Sequence, residues 1–93
     1  MRLSSYEIES IKEVCYRFDS KCRIHLFGSR VDDDKKGGDI DLLIFSKKLT
    51  QGDITKIRSE LWDRLGEQKI DIIIEKDTSH PFTRIALKES VLL

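Results

Sequence analysis

Two segments limit what this chain can fold into: DIDLLIF, from Asp39 to Phe45, and KIDIIIE, from Lys69 to Glu75. In the first, Leu42 to Phe45 is wholly apolar, which predicts a buried, central strand. Ile40, Leu42 and Ile44 project to one face, while Asp39, Asp41, Leu43 and Phe45 project to the other. Leu43 and Phe45 require that second face to be partly covered as well. The second segment is a strand interrupted by one acid, Asp71.

The remaining elements follow from periodicity. Ser4, with Glu7 three residues on, forms a capping-box pattern. Ile8, Ile11, Cys15 and Phe18 then mark one apolar face of a helix. Cys22, Ile24 and Leu26 alternate with Arg23, His25 and Phe27 as a strand. Gly28-Ser29 ends it, and Arg30 to Gly38 (RVDDDKKGG) is expected to be an exposed, mobile loop. Asp53 is the expected N-cap of a second helix, with Ile54, Ile57, Leu61 and Leu65 as its stripe and Gly66 as its stop. Pro81 suits the first turn of a third helix, Phe82 to Lys88. Val91 to Leu93 is too short to assign. Strand, helix and strand in that order predict a parallel crossover between DIDLLIF and KIDIIIE. The short loop before DIDLLIF suits an antiparallel pair. The fold class is α+β, a small mixed sheet packed with helices.

At 93 residues the chain is expected to form a single domain over residues 1–93. A domain of this size has a thin stability margin and is expected to lean on a partner, as a homo- or hetero-oligomer. Its 17 basic and 17 acidic residues cancel. No global field then draws in nucleic acid, although a local patch stays open. No apolar run approaches the ~20 residues of a membrane span, and MRLSSYEIES lacks the apolar stretch of a signal peptide. The expectation is a soluble, cytoplasmic protein without membrane contact. Cys15 and Cys22 fit it as semi-buried free thiols, and their spacing matches no metal knuckle.

Three features carry chemistry. Asp39 and Asp41, two apart on a strand, place their carboxylates side by side, where they repel unless a cation sits between them. Mg²⁺ takes one or two carboxylates and fills its other sites with water and phosphate. Against this, Asp-x-Asp at a strand start is often a solvated turn. Asp71 has two readings: it meets the pair from a neighbouring strand, or it lies on an edge strand and faces water with Glu75. Gly28-Ser29 offers backbone N–H groups and a hydroxyl to phosphate oxygens, and it is also an ordinary turn.

Taken together, HLFGSR, VDDDKKGG, DIDLLIF and KIDIIIE resemble the signature of the nucleotidyltransferase superfamily that includes DNA polymerase β and the kanamycin nucleotidyltransferases. Its pattern is an apolar strand, Gly-Ser, a spacer, Asp-x-Asp and a third acid on a later strand. The likeness is nearest to the short stand-alone MNT proteins, including MntA-type antitoxins. PFTRIALKESVLL resembles their closing helix and strand. After Gly-Ser many of them carry a spacer such as Arg-Ala-Arg-Gly; this chain keeps Arg30 and continues with three acids and two lysines.

The resemblance implies a polymerase β-type fold and a two-metal transferase. In it Asp39, Asp41 and Asp71 are the catalytic and metal-holding acids. Gly28 and Ser29 bind the β- and γ-phosphates, and Arg30 neutralises phosphate charge. The implied cofactors are two Mg²⁺ ions with ATP as substrate. The implied acceptor is a tyrosine hydroxyl of a HEPN-type RNase toxin, silenced by AMP. Two other readings are a non-catalytic antitoxin that binds its partner directly, and transfer to a small molecule such as an antibiotic. His25, His80, Trp62 and the lysine pairs Lys35-Lys36 and Lys47-Lys48 are assigned to structure, interface or solvent.

Overall fold

The structure, a computed structural model, describes residues 1–93. In chain order the elements are α1 (Ser5–Phe18), β1 (Arg23–Phe27), a 3₁₀ turn (Gly28–Val31), β2 (Ile40–Phe45), α2 (Gln51–Leu65), β3 (Ile70–Glu75), α3 (Pro81–Lys88) and β4 (Val91–Leu92). The strands form one mixed sheet in the order β3-β2-β1-β4. β1 is antiparallel to β2, and β2 is parallel to β3 across the α2 crossover. The α+β class and both pairings are as the sequence predicts.

α1 begins as the capping box requires. Ser4 Oγ accepts from the Glu7 N–H at 3.1 Å, and Glu7 Oε1 accepts from the Ser4 N–H at 2.9 Å. α2 corrects the expected cap. Thr50, not Asp53, is the N-cap, and Asp53 is the third helical residue, whose carboxylate accepts from the Thr50 N–H at 2.9 Å. The aspartate is long enough to return the bond, so a Thr-x-x-Asp box forms in place of a simple aspartate cap.

The sheet is covered unequally. Ile24, Leu26, Ile40, Leu42, Ile44, Ile70 and Ile72 bury against Ile11, Val14 and Cys15 of α1 and Ile54, Ile57 and Leu61 of α2. The other face is covered by α3 alone, through Ala86 against Leu43 and Phe45. This asymmetry leaves one end of that face open. Both cysteines are fully buried rather than half-buried, and burial pushes the Cys15 thiol up to about 12.

The loop expectation is corrected in part. Gly28–Val31 is ordered as a 3₁₀ turn, and Val31 packs against the main core. The rest of the segment is exposed as expected, but it is stapled: the Arg2 guanidinium donates to the carbonyls of Ser29 (2.9 Å), Asp32 (2.8 Å) and Gly37 (2.7 Å). The unassigned C-terminal residues form β4, which pairs with β1 at His25 and Leu26. No helix is long and apolar enough to cross a membrane.

Candidate active site

The open end of the α3 face collects the acids. Asp41 is the second residue of β2 and Asp71 the second of β3, and the parallel register sets them opposite one another. Neighbouring strand positions in register share a face. Asp39 stands just before β2 with the parity of Asp41. β3 is an edge strand, where Asp71 lies beside Asp41 in register and about half of its side chain meets solvent.

Lys69 joins this group. Its Nζ lies 3.5 Å from Asp39 Oδ2 and 3.9 Å from Asp71 Oδ2. The Ile40 N–H donates to the Lys69 carbonyl at 3.1 Å, which fixes Lys69 at the mouth of β3. Asp41 is the most perturbed acid. Burial, then the charges of Asp71 and Asp39, raise its pKa from 3.8 to about 6, and Lys69 opposes them. The carboxylates therefore converge closely enough to feel one another, and an ammonium partly neutralises them.

Gly28 closes the site from β1. Its φ is +78°, in the left-handed region, and a Cβ there would overlap the Asp41 carboxylate, 3.1 Å from Cγ. Gly38 stands in the same relation to Ser29: φ is +92°, and a Cβ would overlap the Ser29 hydroxyl. The glycines let the turn lie directly against the acids. Arg30 does not point into this space with a free head. Its Nε donates to the Gly38 carbonyl at 3.1 Å and its Nη1 to the Arg2 carbonyl at 3.0 Å. As placed, it braces the loop.

As they stand, no three His, Cys, Asp or Glu side chains form a ready metal cage. The donor chemistry still suits a hard divalent ion. Carboxylate oxygens are the donors such an ion prefers, and the acids already draw a cation, the Lys69 ammonium, to Asp39 and Asp71. Asp39, Asp41 and Asp71 are the residues that would hold such an ion.

Lys69 and Arg2 were missed from sequence. Lys69 carried a signal, because Lys-x-Asp in β3 repeats the two-residue spacing of Asp-x-Asp in β2. Arg2 carried none. His25 is structural, with Nδ1 3.1 Å from Ser90 Oγ and its ring edge-on to Phe45. Trp62 Nε1 donates to the Gln68 carbonyl at 2.7 Å and fastens the turn after α2. His80 is the exposed N-cap residue of α3, without a side-chain cap bond.

No curated protein matches the chain. The family model described as Polymerase beta, Nucleotidyltransferase matches residues 9–93, which takes in most of α1 and every element after it, with both aspartate strands and the Gly-Ser turn. With the mixed sheet and the acids in register, that match settles the assignment: the chain belongs to the polymerase beta nucleotidyltransferase family.

Proposed function

We propose that this domain transfers AMP from ATP to a tyrosine hydroxyl of a HEPN-type RNase and thereby acts as its antitoxin. Family membership supports nucleotidyl transfer in general. The observation that carries the reading further is the register of Asp41 with Asp71, beside Asp39. The N–H groups of Gly28 and Ser29 receive the β- and γ-phosphates at the end of β1. Asp39, Asp41 and Asp71 would hold Mg²⁺, which would supply Lewis-acid stabilisation of the attacking and leaving oxygens. Asp71, half-exposed on an edge strand, accepts the hydroxyl proton. The hydroxyl oxygen bonds to the α-phosphorus, the bond to the bridging oxygen breaks, and pyrophosphate leaves.

A protein acceptor is supported by the surface next to Asp41. Phe27 pairs with Asp41 in the sheet, and Phe82 packs edge-on against Phe27 with ring centres 6.3 Å apart. Phe82 is 54% exposed, and Ile85, one turn along α3, is 63% exposed. Apolar surface beside a reaction site suits a docked protein better than a small polar acceptor.

The test is to incubate the chain with Mg-ATP and a HEPN-type RNase, then weigh that RNase. A gain of one AMP is expected, and it should vanish with Asp39→Asn/Asp41→Asn while circular dichroism stays unchanged. Transfer by the double variant would overturn the assignment of the acids. A second reading rests on Lys69, whose ammonium already neutralises Asp39 and Asp71. In it the chain binds its partner without reaction, and the partner's mass stays constant in a stable complex.

A further inference from the structure

The end of the sheet opposite the acids gathers the other charge. β1 begins at Arg23, β2 ends at Phe45 and β3 ends at Glu75, so the residues flanking those ends meet there. Lys21, Arg23, Lys47, Lys48 and Lys76 line a cavity of about 500 Å³. None of the five has an ion-pair partner: the chain's ion pairs are Met1–Asp33, Arg17–Glu60, Arg64–Glu13 and the two made by Lys69. None of their side chains donates a hydrogen bond elsewhere in the protein.

The floor of the cavity is built and buried. Ser46 Oγ donates to Asp19 Oδ2 at 2.6 Å, and these residues are 6% and 8% exposed. Asp19 also accepts from the Lys21 N–H at 3.0 Å, and Ser46 Oγ accepts from the Lys48 N–H at 3.0 Å. The backbones of two cavity lysines are thus pinned to one hydrogen-bonded pair. The Arg23 guanidinium lies 5.3 Å from the centre of the Phe45 ring, which positions it as well. Asp19, the carboxylate in the lining, is committed to these bonds. Glu75 accepts from Thr83 Oγ1 at 2.9 Å, and Asp77, on the adjoining rim, accepts from the Ser79 N–H at 2.9 Å.

We propose that this cavity is a binding site for a compact oligophosphate, separate from the acids. Five cations around one concavity outnumber the single lining carboxylate, Asp19, and the excess positive charge is relieved by an anion carrying several charges close together. Arginine and lysine are the side chains that phosphate oxygens take as partners. The volume is that of a small-ligand site. A single nucleic-acid strand asks for an extended basic groove with exposed aromatic platforms. Here the cations ring one cavity, and the Phe45 ring is 5% exposed under Arg23. From Asp41 to Phe45 the strand rises about 13 Å at ~3.3 Å per residue, which exceeds the Debye length of about 10 Å in ~0.1 M salt. The two ends therefore bind independently.

The probe is inorganic triphosphate, titrated by calorimetry at ~0.1 M salt with chelator and no divalent ion. Binding is expected, and Lys47→Ala/Lys76→Ala should weaken it by about tenfold or more. Asp39→Asn/Asp41→Asn should leave it within about twofold, because charges more than a Debye length apart are screened. Lys21→Ala/Lys48→Ala serves as a second pair should the first not fold. ATP titrated into the double asparagine variant separates the sources of the phosphates: equal affinity admits a nucleotide tail, and weaker binding assigns the cavity to free oligophosphate. No binding, binding indifferent to both lysine pairs, binding lost with the two aspartates, or binding of a single-stranded RNA but not of triphosphate would each overturn the proposal.

Discussion

At Gly28 the backbone takes φ +78° against the Asp41 carboxylate, so a side chain there meets both backbone strain and a steric overlap. A non-glycine residue in this region costs about 1–3 kcal/mol. Gly28→Ala should lower the urea midpoint accordingly and displace Asp41. Asp41 itself sets a pH dependence. Between its ordinary 3.8 and about 6 the folded chain keeps a proton that the unfolded chain has released. Stability from this group is therefore present at low pH and falls as pH rises through about 6. With chelator present, Asp41→Asn should flatten that fall and raise the midpoint at neutral pH; an unchanged profile would locate the perturbation elsewhere. At this scale Asp39, Asp41 and Asp71 were legible because they interrupt or head apolar strands, where an acid is costly. Arg2 was not, because its partners are backbone carbonyls, which leave no mark in a sequence.

At the scale of elements, caps and crossover do most of the positioning. Thr50 and Asp53 exchange hydrogen bonds at the start of α2, so Thr50→Ala should cost about 1 kcal/mol, seen as a lower thermal midpoint with an unchanged fold. Had Asp53 been the cap, Thr50→Ala would be silent. The helices and the three long strands were readable from spacing, because each carries a full apolar face. β4 was not, because two residues have no period, and Val91 and Leu92 become a strand only through pairing with β1. The turn Gly28–Val31 was hidden for a similar reason: its one apolar residue, Val31, finds the core only after the chain has closed.

Over the whole molecule, two helices bury one face of the sheet and a short helix half-covers the other. Leu42, fully buried on the two-helix face, should cost about 2–5 kcal/mol on change to alanine, a large part of a margin of about 5–15 kcal/mol. Phe82→Ala, at a position 54% exposed, should cost under ~0.5 kcal/mol. Urea unfolding of both variants would show whether α3 belongs to the stabilising core or is displayed on it. The α+β class was legible because hydrophobic period and element order agree. The division of charge between the ends was hidden by a net charge of zero.

The pairing of β2 with β3 has a consequence for fidelity. Ile70 and Ile72 face the helices while Asp71, between them, faces Asp41's side of the sheet. A slip of one residue would carry two isoleucines into water and thrust a carboxylate into hydrocarbon. Misalignment of the acids is thus penalised by the core itself, and the chain cannot mature into a well-packed domain with its carboxylates out of step.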